Sequence, residues 1–598
     1  MIQSNKINII VAVAVVFALI ISVALVAIGN MQAENGGMKT EAEYAIKIFG
    51  TDIISIQIIA DEADWQEMLD NATSEQYIMA DVIVNGTKFQ NVGIRPKGNS
   101  SLTQVASSDS DRYSFRLQFD EYIEGQTCFG LESFVLNNML GDNTYMKEYI
   151  SYDLMHEVGV DAPYFGYADI KVNGENWGLY LAVELYNESY EQRVFGDTSG
   201  MLYNVKSMDM GGNGGAIPDS KSPPNTGNTN FPAQNSPVQN SPAQMYGENN
   251  GMNRDFGGRG GRGSSGGSLE YIDDNTASYS AIFNNVVGKG TESDFQRVVK
   301  ALKALSEGKE LETYFDVDQI LRYLAAHTFV VNLDSYSSSM AQNYYIYERD
   351  GKITILPWDY NLAWGGFQSG SASSVINFPI DTPLSGVEVS SRPLIDKLFA
   401  NKEYLERYHS YLQQLIDNYF ANGKFEEKIN ALDALISDYV KNDATAFCTY
   451  EEYKTAVSAF ITLGNLRAQS VQGQLDGTIP STTTEQNKNP TKLISAGDLD
   501  LSDLGSMMGG RGGNNKDFPR GIGGQQFSGM LQNGEQRTPP DNIGRMREER
   551  QNSNTLNRLN ASVPSDQGLR TNNLSLIGTL SLVLIAALFF AARFKKSY

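Results

Sequence analysis

Apolar and polar positions begin to alternate just after residue 50. IISIQIIA at 53–60, YIMADVIVNGTKF at 77–89 and YSFRLQF at 113–119 predict strands. Asn85-Gly86 predicts a tight turn inside the second run, because Asn and Gly accept the left-handed dihedrals such turns need. The period then lengthens to that of a helix over 144–159, TYMKEYISYDLMHEVG, with Asn143 as its cap and Tyr145, Tyr149, Tyr152 and His156 near one face. A further hairpin is predicted in YADIKVNGENWGLYLAVEL. Later the pattern turns helical: SDFQRVVKALKALSEG, VDQILRYLAAHTFVVNL and several amphipathic stretches between 392 and 475. One hairpin interrupts this half, NYYIYERDGKITILPWD at 343–359. The sum predicts an α+β fold with a sheet-rich first lobe and a helix-rich second lobe.

Two stretches break the pattern. Residues 209–268 carry GGNGG, NSPVQNSPAQ and GGRGGRGSSGG, too poor in apolar residues to offset the entropy of ordering, and are expected to form a flexible insertion. Residues 481–570 repeat the style and read as a tether. Both ends of the chain are apolar. Ile9 to Ile28 predicts an N-terminal membrane anchor or a signal peptide within 1–30, and Leu574 to Ala592, followed by Arg593, Lys595 and Lys596, predicts a transmembrane helix over 574–592. Between them a folded domain is expected over 42–480, outside the cytoplasm but held at the cell membrane.

The 598 residues include 47 Lys plus Arg against 70 Asp plus Glu, a formal charge of −23, which argues against nucleic acid as a partner and suits basic proteins or divalent cations. Cys128 and Cys448 are the only cysteines, so a disulfide framework and a Cys-type zinc site are both excluded; one bond between them and two free thiols both stay open.

Candidate chemistry concentrates between Asn332 and Gly365, NLDSYSSSMAQNYYIYERDGKITILPWDYNLAWGG. A helix ends at Asp334 and the hairpin returns Asp359, so two carboxylates come near each other. One could accept a proton from a hydroxyl while the other holds a metal on nucleotide phosphates. Arg95 and Lys97 alternate along an extended segment and share a face, and Asn99 and Ser100 follow with further donors; the set could hold phosphates or be an ordinary strand edge. Arg116 and Lys147 are further basic candidates, each also suited to a surface or packing role. Asp255-Phe256-Gly257 spells DFG, but inside the Gly-rich insertion and without flanking strands it is set aside, as is GGRGGRGSSGG as a phosphate loop. His156, His327 and His409 are too scattered for a metal cluster and are expected to be structural.

GIRPKGNSS at 93–101, HEVGVDAPYFGYADIKVNGENWGLYLAVE, N-x-D followed by N-Y-Y-x-Y, and ILPWDYNLAWG resemble, in the same order, the CotH family of spore-coat kinases over residues 45–475. The resemblance implies an atypical protein-kinase-like fold that uses ATP and Mg²⁺ or Mn²⁺ to phosphorylate serine-rich proteins of the spore coat or cell surface. It implies Asp334 as the catalytic acid and Asp359 as the metal ligand, and it favours the phosphate-holding reading of Arg95, Lys97, Asn99 and Ser100; Asn343 and Asn361 are candidate further metal ligands, and Lys147 is a further candidate on the nucleotide. By analogy with ordinary kinases, Glu184 would orient a phosphate-binding lysine. The family often has an acid where Asn361 stands, which removes a charge from the metal site. The leading expectation is extracytoplasmic Ser/Thr phosphorylation with autophosphorylation at Ser236, Ser241, Ser264, Ser265 or Ser268. An inactive surface scaffold of the same fold, and a carbohydrate-active enzyme using the two acids, are the alternatives.

Overall fold

The computed structural model describes residues 41–206 and 265–507. Seven strands, β1 (Ile54–Ala60), β2 (Ile78–Val84), β3 (Thr87–Lys97), β4 (Ser114–Gln118), β5 (Ser133–Asn137), β6 (Phe165–Val172) and β7 (Glu175–Glu184), form a closed barrel in the order β1-β2-β3-β4-β5-β7-β6. Every neighbouring pair is antiparallel except the closing one, where β1 runs parallel to β6 in the register Ile54 with Ala168 and Ile58 with Val172. Alternate side chains fill the lumen, among them Ile56, Ile58, Val82, Ile94, Phe115, Leu136 and Ile170.

A second, three-stranded sheet pairs β8 (Met201–Val205), β9 (Tyr344–Arg349) and β10 (Lys352–Pro357) in the order β10-β9-β8. The longer helices are α1 (Lys147–Glu157), α2 (Glu292–Glu307), α3 (Val317–Val330), α4 (Lys402–Leu415), α5 (Lys424–Lys441) and α6 (Tyr450–Leu475). Helix α1 lies between barrel and helices. It starts three residues later than the pattern predicts, because Tyr145 takes a left-handed φ of 60°. Asn143 does not cap it. The buried Asp142 carboxylate receives the N–H groups of Thr144 and Lys147 instead.

The kinase-like, two-lobed fold expected from the sequence is corrected by this architecture. Its first part is a closed barrel, sealed by the parallel β1–β6 pair. The outward residues of the barrel wall, Val135, Tyr167, Leu179, Leu181 and Val183, belong to the same buried cluster as α1, α3 and α6, so a single core runs from barrel wall to helices where two lobes were expected. The strand β7 is buried on both faces for this reason, and its sequence GLYLAVE is accordingly near-continuous in apolar residues. The flanking membrane spans are likewise unsupported: among the described residues no helix is long and apolar enough to cross a membrane. The runs 9–28 and 574–592, and most of the insertion and tether, lie outside the described residues.

One ion pair ties barrel to helices. Arg112 is fully buried and donates through Nη1 to both oxygens of Asp443 at 2.9 and 2.8 Å, through Nη2 to Leu179 O and through Nε to Asn138 O at 2.9 Å. Gly178 lies so close that a Cβ there would meet Arg112 Nη1 at 2.4 Å. Replacing Arg112 with Ala strands a buried carboxylate. It should cost about 3–5 kcal/mol in urea unfolding, and an unchanged unfolding midpoint would contradict this role.

Candidate functional site

Five elements converge on one cluster of charged and amide side chains. Strand β3 ends at Lys97 and β5 at Asn137, α1 carries Glu148, the turn after α3 carries Asp334, and the end of β10 delivers Asp359. Lys97 Nζ donates to Asn137 Oδ1 at 2.9 Å, and Asn137 Nδ2 donates to Glu148 Oε2 at 2.9 Å, so an amide links ammonium to carboxylate. Glu148 is 2% exposed, and its Oε1 is buried without a hydrogen-bond partner.

The Asp334 carboxylate is held from the start of the returning hairpin. Asn343 Nδ2 donates to Asp334 O at 2.8 Å and to Oδ2 at 3.0 Å, and Gln342 Nε2 reaches Oδ1 at 3.3 Å. Asn332 fastens the two acid-bearing segments together. Its Oδ1 accepts the Asp334 N–H at 3.1 Å while its Nδ2 donates to Asp359 O at 3.2 Å. The Asp359 N–H in turn donates to Tyr152 Oη at 3.2 Å.

Backbone strain gathers here. Val331, Ala341, Asn343, Asp359 and Trp364 all have φ between 46° and 63°, the left-handed region that costs a residue with a Cβ on the order of 1 kcal/mol or more. Val331 is β-branched and least suited to it. Buried packing holds these residues: Trp364 N–H donates to Val330 O at 2.7 Å, and its indole Nε1 donates to Ser151 Oγ at 3.1 Å.

Electrostatics set the protonation of the site. Burial, then the charge of Asp359, raises Asp334 to about 7. Burial and Asp359 likewise raise Glu148 to about 7, opposed by Asn137 and Lys97. Asp359 is itself raised by burial, with Lys97 acting against the shift. The three carboxyls thus compete for too little positive charge. Among the described residues no ready-made cluster of three His, Cys, Asp or Glu ligands exists. A divalent cation held by one or two carboxylates plus substrate phosphates needs no such cluster, and the Asp359 carboxyl, raised by burial with the Glu148 carboxyl near it, fits that mode.

The structure brings Lys97, Asp334, Asn343 and Asp359 together, while Arg95, Lys147 and Glu184 are engaged with other partners. Arg95 is paired with Glu75 over the Tyr77 ring. Asn99 and Ser100 begin the short helix Ser100–Ala106. Asn361 lies two residues beyond Asp359 and spends its amide on Leu140 O at 3.2 Å. Lys147 is fully buried, lowered by burial to about 8, and donates to Gly141 O at 3.0 Å and Gly505 O at 2.9 Å, fastening the chain that follows the helices. Glu184 is bound by Arg193, Tyr44 and the Tyr164 N–H, and the carboxylate that the Asn137 amide links to Lys97 is that of Glu148 instead. Glu148 and Asn137 were missed in the sequence. The available signal was Glu148 one turn before Tyr152, an acid on the face the helix buries.

Two comparisons with known proteins bear on this geometry. A family model described as CotH kinase protein matches residues 94–471. The inner spore coat protein H of Bacillus subtilis (strain 168) is 24% identical over 354 residues, 57% of this chain and 78% of that protein.

The raised carboxyls give a pH signature. Asp334 and Glu148 rise in the folded state from 3.8 and 4.5, so the stability they contribute is complete below about pH 4 and is lost as pH climbs through 7. Asp359→Asn removes a repelling charge. It should stabilise the cation-free protein by roughly 1 kcal/mol at pH 8 and leave it unchanged at pH 4, read by urea unfolding at both values. Destabilisation at pH 8 would contradict the repulsion.

Proposed function

The chain belongs to the CotH kinase family, and we propose that it transfers the γ-phosphoryl group of ATP to serine hydroxyls of serine-rich proteins of the spore coat or cell surface. The observation that carries the reading is the side-chain cluster: an acid raised to about 7, a second raised acid, and a lysine linked through an amide to a third. A base near neutrality is matched to taking a proton from a hydroxyl at working pH. Asp334, aligned by Asn343 and Gln342, accepts the serine Oγ proton as Oγ bonds to phosphorus and the bond to the ADP oxygen breaks.

Lys97 balances negative charge on the phosphates and is oriented by Asn137 and Glu148. Asp359, with Glu148 behind it, would hold Mg²⁺ or Mn²⁺, which when bound neutralises phosphate charge. The relative named inner spore coat protein H supports a spore-coat-associated place of work. The chain's own serines are also targets. Ser236, Ser241 and Ser264 lie outside the described residues, whereas Ser265 is exposed and Ser268 is half-buried. Tethering would give such sites a high effective concentration.

The purified chain, incubated with labelled ATP and Mg²⁺ or Mn²⁺, should label itself and a serine-rich acceptor. Asp334→Ala and Asp359→Ala should each reduce transfer by about 100-fold or more. Nucleotide binding without transfer would identify an inactive scaffold, and no nucleotide binding at all would sink both readings.

A further inference from the structure

We infer that His327 is a positioning residue, a bridge that holds the Asp334 turn against the Asp359 segment. It projects from α3 into the core at 1% exposure, with Nδ1 2.8 Å from Tyr360 Oη and Nε2 3.0 Å from Ser337 Oγ. Tyr360 follows Asp359 directly, and Ser337 stands three residues after Asp334. The imidazole therefore joins the two acid-bearing segments by side chains, in addition to the link to backbone that Asn332 makes.

The surroundings fix the ring. Tyr323 stacks on it at 5.3 Å between centroids and 26° between planes, and Tyr360 meets it edge-on at 5.9 Å and 87°. Burial in this aromatic slot holds the imidazole neutral, well below its usual range at about 3. A neutral imidazole has one N–H and one lone pair, so it donates to one hydroxyl and accepts from the other. Both contacts are made at once, and a charged ring, with two donors and no acceptor, could not accept from either hydroxyl.

The turn it braces has little regular structure to keep its shape. Ser338 Oγ donates to Leu333 O at 2.6 Å, Ser335 Oγ to Gln342 O at 3.0 Å and Arg392 Nε to Tyr336 O at 2.8 Å, all side chain to backbone. Such a turn carries strained dihedrals at Val331, Ala341 and Asn343. His327 supplies a second tie to the Asp359 side, beside the one Asn332 makes. Losing the tie lets Asp334 drift from Asp359 without touching the groups that hold nucleotide.

The inference rests on the phosphotransfer reading for its kinetic arm, and a second arm is independent of it. With the full chain, His327→Phe keeps the aromatic volume and loses both hydrogen bonds; His327→Gln restores a donor and an acceptor. His327→Phe should lower kcat by about 10- to 100-fold, with KM for ATP within about threefold, and His327→Gln should recover much of the loss. Hydrogen exchange should quicken in His327→Phe in peptides covering 332–343 and 358–362 and stay unchanged in the barrel.

If His327→Phe does not fold, Ser337→Ala cuts one side of the bridge and should show the same local exchange and a smaller fall in kcat. Turnover equal to wild type in a folded His327→Phe, faster exchange spread over the whole domain, or no recovery in His327→Gln would overturn the role. If the wild type transfers no phosphate, the phosphotransfer reading falls, and the exchange arm still decides whether His327 braces the turn.

Discussion

Asp359 lies within electrostatic reach of both Asp334 and Glu148, with Lys97 the cation that acts on Asp359 and Glu148. Carboxyls in that position repel, and folding relieves them only by holding protons at a pH where free carboxylic acids are ionised. The surrounding structure is organised to impose that crowding. Left-handed dihedrals at Asn343 and Asp359 aim the side chains, and Asn332 keeps their backbones in register. Strain and like charge in one place are costs that a ligand bearing positive charge would remove.

The barrel contributes more than a scaffold. Strand β4 pairs with β3 on one side and β5 on the other, and across its end Lys97 reaches Asn137. The wall made by β5, β7 and β6 packs its outer residues into the core of the helices, and this fixes α1 and Glu148 against them. The Arg112–Asp443 pair joins the barrel to the turn after α5 and makes barrel and helices one cooperative body. Lys147, next to Glu148, fastens the end of the described chain through Gly505.

Local pattern carried much of this fold, and long-range pairing carried the rest. The hairpin at 343–359 was legible because alternating residues flank Asp350-Gly351, both with left-handed φ. Strand β5 was not, since SFVLN is short and buried on both faces, which erases alternation. Closure depends on β1 meeting β6 more than a hundred residues later, and no local periodicity encodes that. Of the site, Asp334, Asp359, Asn343 and Lys97 could be picked out from the sequence. Choosing Glu148 over Glu184 could not be done from spacing, because it depends on Asn137 and Lys97 reaching the same point in space.

The central claim is that cation and nucleotide displace protons from crowded carboxyls. Calorimetric titration of the full chain with Mn²⁺ and a non-hydrolysable ATP analogue, at pH 6.5 in buffers of different ionisation enthalpy, tests it most directly. Binding should release on the order of one proton per complex, with the release lost in Asp359→Asn. Binding with no proton release in the wild type would contradict the account.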